Sequence, residues 1–279
     1  MPKARKKQPI TSTGRHAPSS SSNPHATRTL IRRFHVLLKK QRQLQDQKNT
    51  PNTSNLQQLH DVEQEIEDMG GLAAYQRMSD IGQGSDRGGG SEKVLIKWLS
   101  GFGHSRGDNT GKLRLLEVGA LKPDNYTSCA SWLDAMSIDL RSRHPSIIEQ
   151  DFLSMPTDEH REKWDLISLS LVVNFVPDPN DRGRMLILSH TFLRPSGLLF
   201  LVLPLPCVEN SRYFTFDLLQ SLMDAIGFME IEKKWKKGGK MAYWLYRKVQ
   251  NDRPAISHNF RKKSVCREGR RNNFTILLP

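Results

Sequence analysis

The sequence predicts an α/β protein built on a mostly parallel sheet of seven strands, with a C-terminal antiparallel hairpin and an N-terminal helical extension. Two observations predict this fold. Between residues 113 and 248, short apolar runs of β type alternate with amphipathic helical patterns, as expected for a parallel sheet covered by helices. The last two runs flank Lys236-Lys237-Gly238-Gly239, a turn sequence that predicts a hairpin.

The predicted strands follow one another along this region. In chain order they are Leu113–Val118, Ala135–Asp139, Ile147–Gln150, Asp165–Leu169, Leu198–Leu203, Met229–Trp235 and Met241–Lys248. Helices are predicted between several of them, notably over Arg182–Leu193 and Phe216–Ile226. A parallel sheet that ends in an antiparallel hairpin has the Rossmann-like outline of a class I methyltransferase, and not that of a six-stranded dehydrogenase.

Composition divides the chain into four parts, predicted as a disordered basic tail (1–28), a helical extension (29–100), a ligand-binding α/β domain (101–248) and a basic C-terminal tail (249–279). Residues 1–42 contain 11 Lys or Arg and no Asp or Glu, and the first 26 lack an apolar pattern. Such a segment buries too little apolar surface to offset its ordering entropy. Its run Lys3–Lys7 is a nuclear address, a phosphate-binding arm or a solubilising tail. The C-terminal tail is expected to be loose unless Phe274–Leu278 anchors it.

The extension is predicted to contain two helices and a linker. The first, from Thr29 to about Gln47, is basic and amphipathic, and it lies on RNA or docks on the main domain. The second, from about Asn55 to Asp68, is mostly polar. Gly82–Gly90 follows no strand and lacks the Lys-Ser/Thr ending of a P-loop, which favours a linker over a phosphate cradle. Ser91 is then predicted to cap a short helix that leads into the main domain.

Charge and residue usage exclude several classes of protein. Lys and Arg total 42 against 29 Asp and Glu, and the net charge of +13 indicates a polyanionic partner, either nucleic acid or an anionic membrane surface. The three cysteines have no close spacing, which excludes a disulfide framework and a cysteine zinc module. The one G-x-S-x-G match, Gly103–Gly107, follows no predicted strand and so lacks the strand-to-helix context of a nucleophile elbow, and no H-x-x-x-H spacing occurs. We expect an intracellular, soluble protein without a metal.

The ends of the first three predicted strands indicate a ligand site. Glu117 and Gly119 end the first strand, where a glycine lets the backbone turn and approach a ligand without a Cβ. Asp139 lies 20 residues beyond Gly119 and suits a ribose diol, since its carboxylate accepts from both hydroxyls. After the third strand, Asp151 is placed to accept from an adenine amino group and Phe152 to pack the ring. The alternative for each residue is an ordinary turn or a surface acid.

The small number of glycines in this turn distinguishes between two candidate cofactors, a dinucleotide and S-adenosylmethionine. A dinucleotide requires the fuller glycine pattern, because its pyrophosphate must approach the backbone. S-adenosylmethionine has a ribose but no phosphate. The single Gly119 therefore favours S-adenosylmethionine as the ligand.

The ends of the fourth and fifth predicted strands carry the candidates for substrate contact. Ser170 and Asn174 follow the fourth strand and are the polar groups best placed to meet a substrate base. The alternative role for both is capping and turn formation. Tyr213, just past the fifth strand, is the candidate for stacking on a base, although aromatic side chains more commonly pack in a core. No strong general base is evident among them.

The sequence resembles a known family through eight stretches. They are Thr29–His35, Gly70–Gln76, Leu116–Leu121, Ile138–Leu140, Gln150–Phe152, Ser168–Pro179, Leu193–Pro195 and Leu203–Tyr213. They are spread over residues 29–213 and resemble the fungal 25S ribosomal RNA adenine-N1 methyltransferases, the second base methyltransferase of that rRNA. The blocks Ser170–Pro177 and Leu203–Tyr213 are specific to this group.

The resemblance implies an S-adenosylmethionine-dependent enzyme that methylates N1 of an adenine in large-subunit rRNA. It places the cofactor at Gly119 and Asp139, and the protein in the nucleus and nucleolus. The partner is then the rRNA or a pre-ribosomal particle, and we expect a monomer. Animal relatives look like S-adenosylmethionine sensors that act through protein partners, so a non-catalytic binding module is the alternative. The basic ends favour the enzyme, because a sensor does not need them.

Overall fold

The protein is described by a computed structural model over residues 53–71, 90–103, 111–142, 144–249 and 260–279, with single positions between 30 and 45. The predicted disorder of 1–28, the run Lys3–Lys7 and most of the glycine-rich loop lie outside the described residues. So do parts of the first two stretches that carry the family resemblance.

The secondary structure alternates as predicted. The strands are β1 (Leu113–Val118), β2 (Leu133–Asp139), β3 (Ile148–Glu149), β4 (Trp164–Ser170), β5 (Leu193–Pro204), β6 (Phe228–Trp235) and β7 (Met241–Lys248). The helices are α1 (Thr53–Asp68), α2 (Ser91–Gly101), α3 (Thr157–His160), α4 (Pro179–Phe192), α5 (Pro206–Glu209) and α6 (Phe216–Ile226).

All seven strands form one sheet in the order β3-β2-β1-β4-β5-β7-β6. The pairs among the first five are parallel, while β7 is antiparallel to both β5 and β6. The predicted mostly parallel sheet with a C-terminal antiparallel hairpin is thus confirmed. Strand β5 begins five residues before the predicted Leu198, because Leu193 pairs with Trp164 ahead of a register shift.

Apolar residues on successive strand positions divide the core between the two faces of the sheet. On one face, residues such as Leu116 and Ile167 pack with α4 and α6. On the other face, Leu115 and Leu166 pack with α2. Both faces are therefore buried, as a parallel sheet requires.

Helix α2 begins differently from the prediction. Its N-cap is Gly90, at φ 94°, and no side chain caps the helix. The hydroxyl of Ser91 instead lies 2.7 Å from the hydroxyl of Ser170 at the end of β4. Because Leu95 and Leu99 are fully buried in the core beneath the sheet, α2 covers one face of the α/β domain. The predicted boundary between residues 100 and 101 falls inside this helix.

The described part of the N-terminal extension is helical. Buried side chains of α1 (Leu59, Val62 and Ile66) form a small cluster with Phe34 and Leu37. An ion pair of 2.6 Å joins Arg33 Nε to Glu65 Oε1. Among the described residues, no helix has both the length and the apolar character needed to cross a membrane.

The described part of the C-terminal segment (260–279) is bound to the domain and is not loose, in agreement with the alternative that its apolar end anchors it. Phe274, Ile276 and Leu278 are buried in the same core cluster as the sheet, so the apolar end is an anchor. Gly183 in α4 allows this contact, since a Cβ there would overlap the backbone carbonyl of Leu277.

Replacing Gly183 by alanine is expected to destabilise the protein by about 1–3 kcal/mol, because the added methyl group forces the C-terminal backbone away from α4. Urea denaturation measures the loss. Gly101→Ala is the control, since a Cβ there meets nothing within 4 Å. Equal free energies of unfolding for the two variants would contradict the close approach.

Candidate functional site

The carboxyl ends of β1, β2, β4 and β5 lie at one edge of the sheet because these strands are parallel. In open α/β sheets, ligands bind in the crevice at this edge. The candidate residues lie on segments at this edge, although the side chain of Phe152 is buried in the core. We call it the carboxyl edge.

Gly119 forms the turn that leaves β1. Its φ of 73° is a left-handed conformation that favours glycine. The amides of Gly119 and Ala120 both donate to the carbonyl of Ile138, over 2.8 and 3.1 Å, which holds the turn against β2. A Cβ at Gly119 would lie 2.6 Å from Cγ2 of Val172. The turn therefore has room only for backbone.

Asp139 directly follows that shared carbonyl and lies between the other two cofactor candidates. Its Oδ1 accepts from the amide of Arg141 over 2.8 Å, and its carbonyl accepts from the amide of Gln150 over 2.9 Å. The second bond brings Asp151 to the same edge. Gly119, Asp139 and Asp151 thus lie on adjacent, hydrogen-bonded segments.

Asp151 and Phe152 have structural roles of their own. The Asp151 carboxylate caps a short 3₁₀ turn by accepting from the amide of Leu153 and the hydroxyl of Ser154, each over 2.9 Å. A carboxylate has further acceptor capacity. Phe152 is 3% exposed and packs edge-on against Phe192 in the core. The prediction that its ring packs on adenine is therefore wrong, since the core encloses that ring.

Glu117 is a buried carboxylate that organises the turn. Its two oxygens accept from Nδ2 of Asn125 over 2.7 Å and from Oγ of Ser137 over 2.8 Å. Burial raises the pKa of Glu117, and these two hydrogen bonds act against the rise. Because Glu117 is only 7% exposed, it shapes the segment after β1 through Asn125. The sequence pattern gave no sign of Asn125.

The end of β4 carries backbone strain. Leu171 has φ 59°, a left-handed conformation that costs a branched residue on the order of 1 kcal/mol. Its amide donates to the carbonyl of Val202 in β5 over 3.0 Å, which holds the strained residue in place. The preceding Ser170 is tied to α2 through Ser91. The chain therefore turns sharply between Ser170 and Asn174.

Asn174 supplies an acceptor at this turn. Its Oδ1 is buried, and no described residue donates a hydrogen bond to it. A buried acceptor without a donor costs about 1–3 kcal/mol. An arriving amino group would satisfy it, which fits the predicted contact with a substrate base.

Tyr213 lies half-buried in the segment after β5. The guanidinium of Arg212 lies over its ring, 6.0 Å from the ring centroid. The amide of Tyr213 donates to Oγ of Ser211 over 3.1 Å. Arg212 and Ser211 both hydrogen-bond with the C-terminal segment. The stacking candidate is thus held by its neighbours in a defined position.

Arg182 is a functional neighbour that the sequence did not reveal. Its guanidinium donates to the carbonyls of Val176 and Thr275, over 2.8 and 2.7 Å, and lies 4.6 Å from the centroid of Phe274. Burial lowers its pKa to about 10. Because its partners are backbone carbonyls, no acidic residue in the sequence marks the interaction.

A cavity of about 200 Å³ lies at the opposite edge of the sheet, near the amino ends of β1, β4 and β5. The buried Asp165 in its wall is ion-paired with Arg194 and accepts from the amide of Arg114 over 2.7 Å. The cavity is therefore far from the candidate residues. Among the described residues, no group of three His, Cys, Asp or Glu side chains is placed to hold a metal ion.

Comparison with known proteins identifies close relatives. The family model described as "25S rRNA (adenine(2142)-N(1))-methyltransferase, Bmt2" matches residues 60–276. The Saccharomyces cerevisiae 25S rRNA (adenine(2142)-N(1))-methyltransferase is 36% identical over 93% of this chain and 74% of its own length. The Schizosaccharomyces pombe 25S rRNA adenine-N(1) methyltransferase is 38% identical over 88% and 89%.

A solved structure shares the fold. It is the Burkholderia thailandensis 1,6-didemethyltoxoflavin-N1-methyltransferase, solved with 1,6-didemethyltoxoflavin and S-adenosylhomocysteine bound. The TM-score is 0.50 at 14% identity, over 64% of this chain and 85% of that chain. At this identity the likeness shows the fold alone, and it agrees with the methyltransferase outline predicted from the strands.

The buried Glu117 predicts a pH dependence of stability. Its pKa is raised above the usual 4.5 in the folded protein, so stability is highest below that value and falls as pH rises through the raised pKa. The loss is about 1.4 kcal/mol for each unit of the rise. Glu117→Gln removes this loss. Urea denaturation at pH values between about 4 and 8 measures the difference in the free energy of unfolding between the variant and the wild type.

The control is Glu149→Gln, since Glu149 is exposed on the neighbouring β3. It is expected to follow the wild-type curve. If Glu117→Gln also follows that curve at every pH, the carboxylate does not experience the burial seen in the structure.

Proposed function

This chain belongs to the family of 25S rRNA adenine-N1 methyltransferases, and we propose that it transfers a methyl group from S-adenosylmethionine to N1 of one adenine in large-subunit (25S) rRNA. One observation carries the proposal: the family match over 60–276 includes every strand of the sheet and every candidate residue at its carboxyl edge. The relatives bear the names of enzymes, which does not favour the ligand sensor.

The residues of the carboxyl edge fit the proposed cofactor. S-adenosylmethionine supplies an electrophilic methyl group when it is bound. Gly119 provides a left-handed turn at the end of β1 with no side chain of its own, which suits the amino-acid end. Asp139 accepts from the ribose hydroxyls, and Asp151 has acceptor capacity left for the adenine amino group. Glu117 acts indirectly, by holding Asn125 and the turn.

The chemistry at adenine N1 makes modest demands on the protein. N1 has a lone pair in the ring plane and attacks the methyl carbon without first losing a proton. The protein mainly has to extract the base from its stack, align N1 and exclude water. This explains why the edge offers acceptors and an aromatic ring but no evident general base.

Two side chains are proposed to position the base. Asn174 Oδ1 accepts from the exocyclic amino group, which is adjacent to N1 on the ring, and Ser170 supports the same turn through its bond to Ser91. Tyr213 stacks on the base, and its electron-rich face also suits the positive charge of the methylated product. Ser170 is the last residue of β4, Asn174 lies in the turn after it, and Tyr213 lies in the segment after β5.

The proposal extends to the setting of the reaction. The protein acts as a monomer in the nucleolus, within the nucleus, on rRNA that is free or part of a pre-ribosomal particle. The net charge of +13 supports a polyanionic substrate of this kind. The basic run Lys3–Lys7 is suited to a nuclear address.

Asp139→Ala is expected to weaken binding of S-adenosylmethionine by about 10- to 100-fold, because hydrogen bonds to a charged acceptor contribute about 1.5–3 kcal/mol. Calorimetry on the folded variant measures the affinity. The control is Asp134→Ala, an exposed position on the same strand near the opposite edge. Wild-type affinity in Asp139→Ala would contradict the proposal that Asp139 binds the ribose hydroxyls.

Primer extension on rRNA tests the reaction itself. N1 lies on the Watson–Crick edge, so N1-methyladenine blocks reverse transcription. Cells that lack the protein should lose one strong stop at an adenine, and the wild-type gene should restore it. Gly119→Arg should not, since its side chain occupies the turn beside Val172.

The outcomes separate the two functions. If every stop persists in the deletion strain while the purified protein still binds S-adenosylmethionine, the chain is a sensor and not this enzyme. Circular dichroism of Gly119→Arg confirms that the variant has folded before it is scored.

A further inference from the structure

Residues 260–278 form a closed loop on the surface of the domain, which we call the C-terminal loop. Its ends meet, since the amide of Leu278 donates to the carbonyl of Phe260 over 2.9 Å. The amide of Leu277 donates to the carbonyl of Pro179 over 2.9 Å, which fixes the closed ends to the start of α4. The buried apolar residues of the loop make it part of the core.

The middle of the C-terminal loop surrounds Arg212. The amide of Arg212 donates to the carbonyl of Asn272 over 2.9 Å. The carbonyl of Arg212 accepts from the amides of Cys266 and Arg267 over 2.8 and 3.2 Å. Its side chain donates to the carbonyl of Gly269 over 3.2 Å and lies over the ring of Tyr213. The loop therefore sets the position of the proposed stacking residue.

The cations of the C-terminal loop fall into two groups. Arg267 donates to the carbonyls of Val208 and Glu209, each over 2.9 Å, and Arg271 donates to Oδ1 of Asn210 over 3.1 Å. These two hold the segment after β5. The others are exposed, and no acidic side chain among the described residues forms an ion pair with them: they are Arg261, Lys262, Lys263 and Arg270.

The opposite flank of the segment after β5 is basic as well. The amide of Leu205 donates to the carbonyl of Lys240 over 2.8 Å, which places the β6–β7 hairpin beside the start of this segment. Lys236, Lys237 and Lys240 of the hairpin are exposed. The proposed base-binding segment thus lies between two surfaces of positive charge.

From this arrangement we infer that the C-terminal loop is a phosphate-binding surface that holds the RNA backbone next to the target adenine. The inference rests on the proposed function and adds the element that grips the substrate. Phosphate contacts position a nucleic acid, while base contacts specify it. A base drawn out of its stack needs its flanking phosphates held, and the exposed Arg and Lys of the loop that holds Arg212 supply the charge.

Charge substitutions test this surface, because deleting the loop would also remove core residues. The variant carries Arg261→Gln, Lys262→Gln and Lys263→Gln in the full chain. The matched control carries Lys112→Gln, Arg161→Gln and Arg247→Gln, three exposed cations near the amino ends of β1, β4 and β5. Both remove three positive charges.

Fluorescence anisotropy measures affinity for a 25S rRNA fragment between 50 and 200 mM salt, roughly the range where counterion release dominates. The slope of log affinity against log salt is negative. In the loop variant it is expected to become less steep by about 2–3, at about 0.7–0.9 per lost phosphate contact. Its affinity for S-adenosylmethionine, measured by calorimetry, should stay at the wild-type value. The control should change the slope by less than about 1.

Two results overturn the inference: an unchanged slope in the loop variant, or equal changes in loop and control variants, which would indicate general charge alone. Methylation of the fragment by the wild-type protein, followed by mass spectrometry, separates this outcome from failure of the proposed function. A wild type that methylates, with a loop variant of unchanged slope, contradicts only the inference. A wild type that binds S-adenosylmethionine but does not methylate rRNA contradicts the proposed function.

Discussion

The guanidinium of Arg182 is buried. Burial lowers the pKa of Arg182 to about 10, so the group remains charged at neutral pH. A charge removed from water is costly unless hydrogen bonds replace its hydration. Here the carbonyls of Val176 and Thr275 do so, and the ring of Phe274 covers the guanidinium. The segment after β4 and the C-terminal segment must therefore stay where they are. The next residue, Gly183, has no side chain, which allows the backbone of the C-terminal segment at Leu277 to lie against α4.

Backbone hydrogen bonds also hold the turns of the carboxyl edge. The turn at Gly119 is fixed by two backbone amides on one carbonyl, and the turn after β4 by the amide of Leu171. The buried Glu117 acts on the position of Asn125. A rigid backbone with a few placed acceptors suits a reaction in which the nucleophile already has its lone pair.

The sequence was sufficient for the interactions that are local along the chain. The bounds of β1, β7 and α6 agree with the prediction, because each has a clear period and a turn at its ends. It failed where the partner is distant. Ser91 was predicted to cap α2, yet its hydroxyl meets Ser170, 79 residues away. The anchoring of the C-terminal segment by Arg182 was equally hidden, since a backbone carbonyl has no sequence signature.

The two halves of the carboxyl edge are held by different means. At the ends of β1, β2 and β3, the backbone contacts come from the sheet itself, through Ile138 and Asp139. Beyond β4, the amide of Leu171 bonds to Val202 of β5, and the C-terminal loop adds contacts with Arg182 of α4 and with Arg212 after β5. The proposed cofactor side is thus preorganised within the sheet, while the proposed substrate side depends on a basic segment added after it. Because contacts on such a segment can change without disturbing the turn at Gly119, the fold separates the proposed cofactor site from the element proposed to hold the RNA.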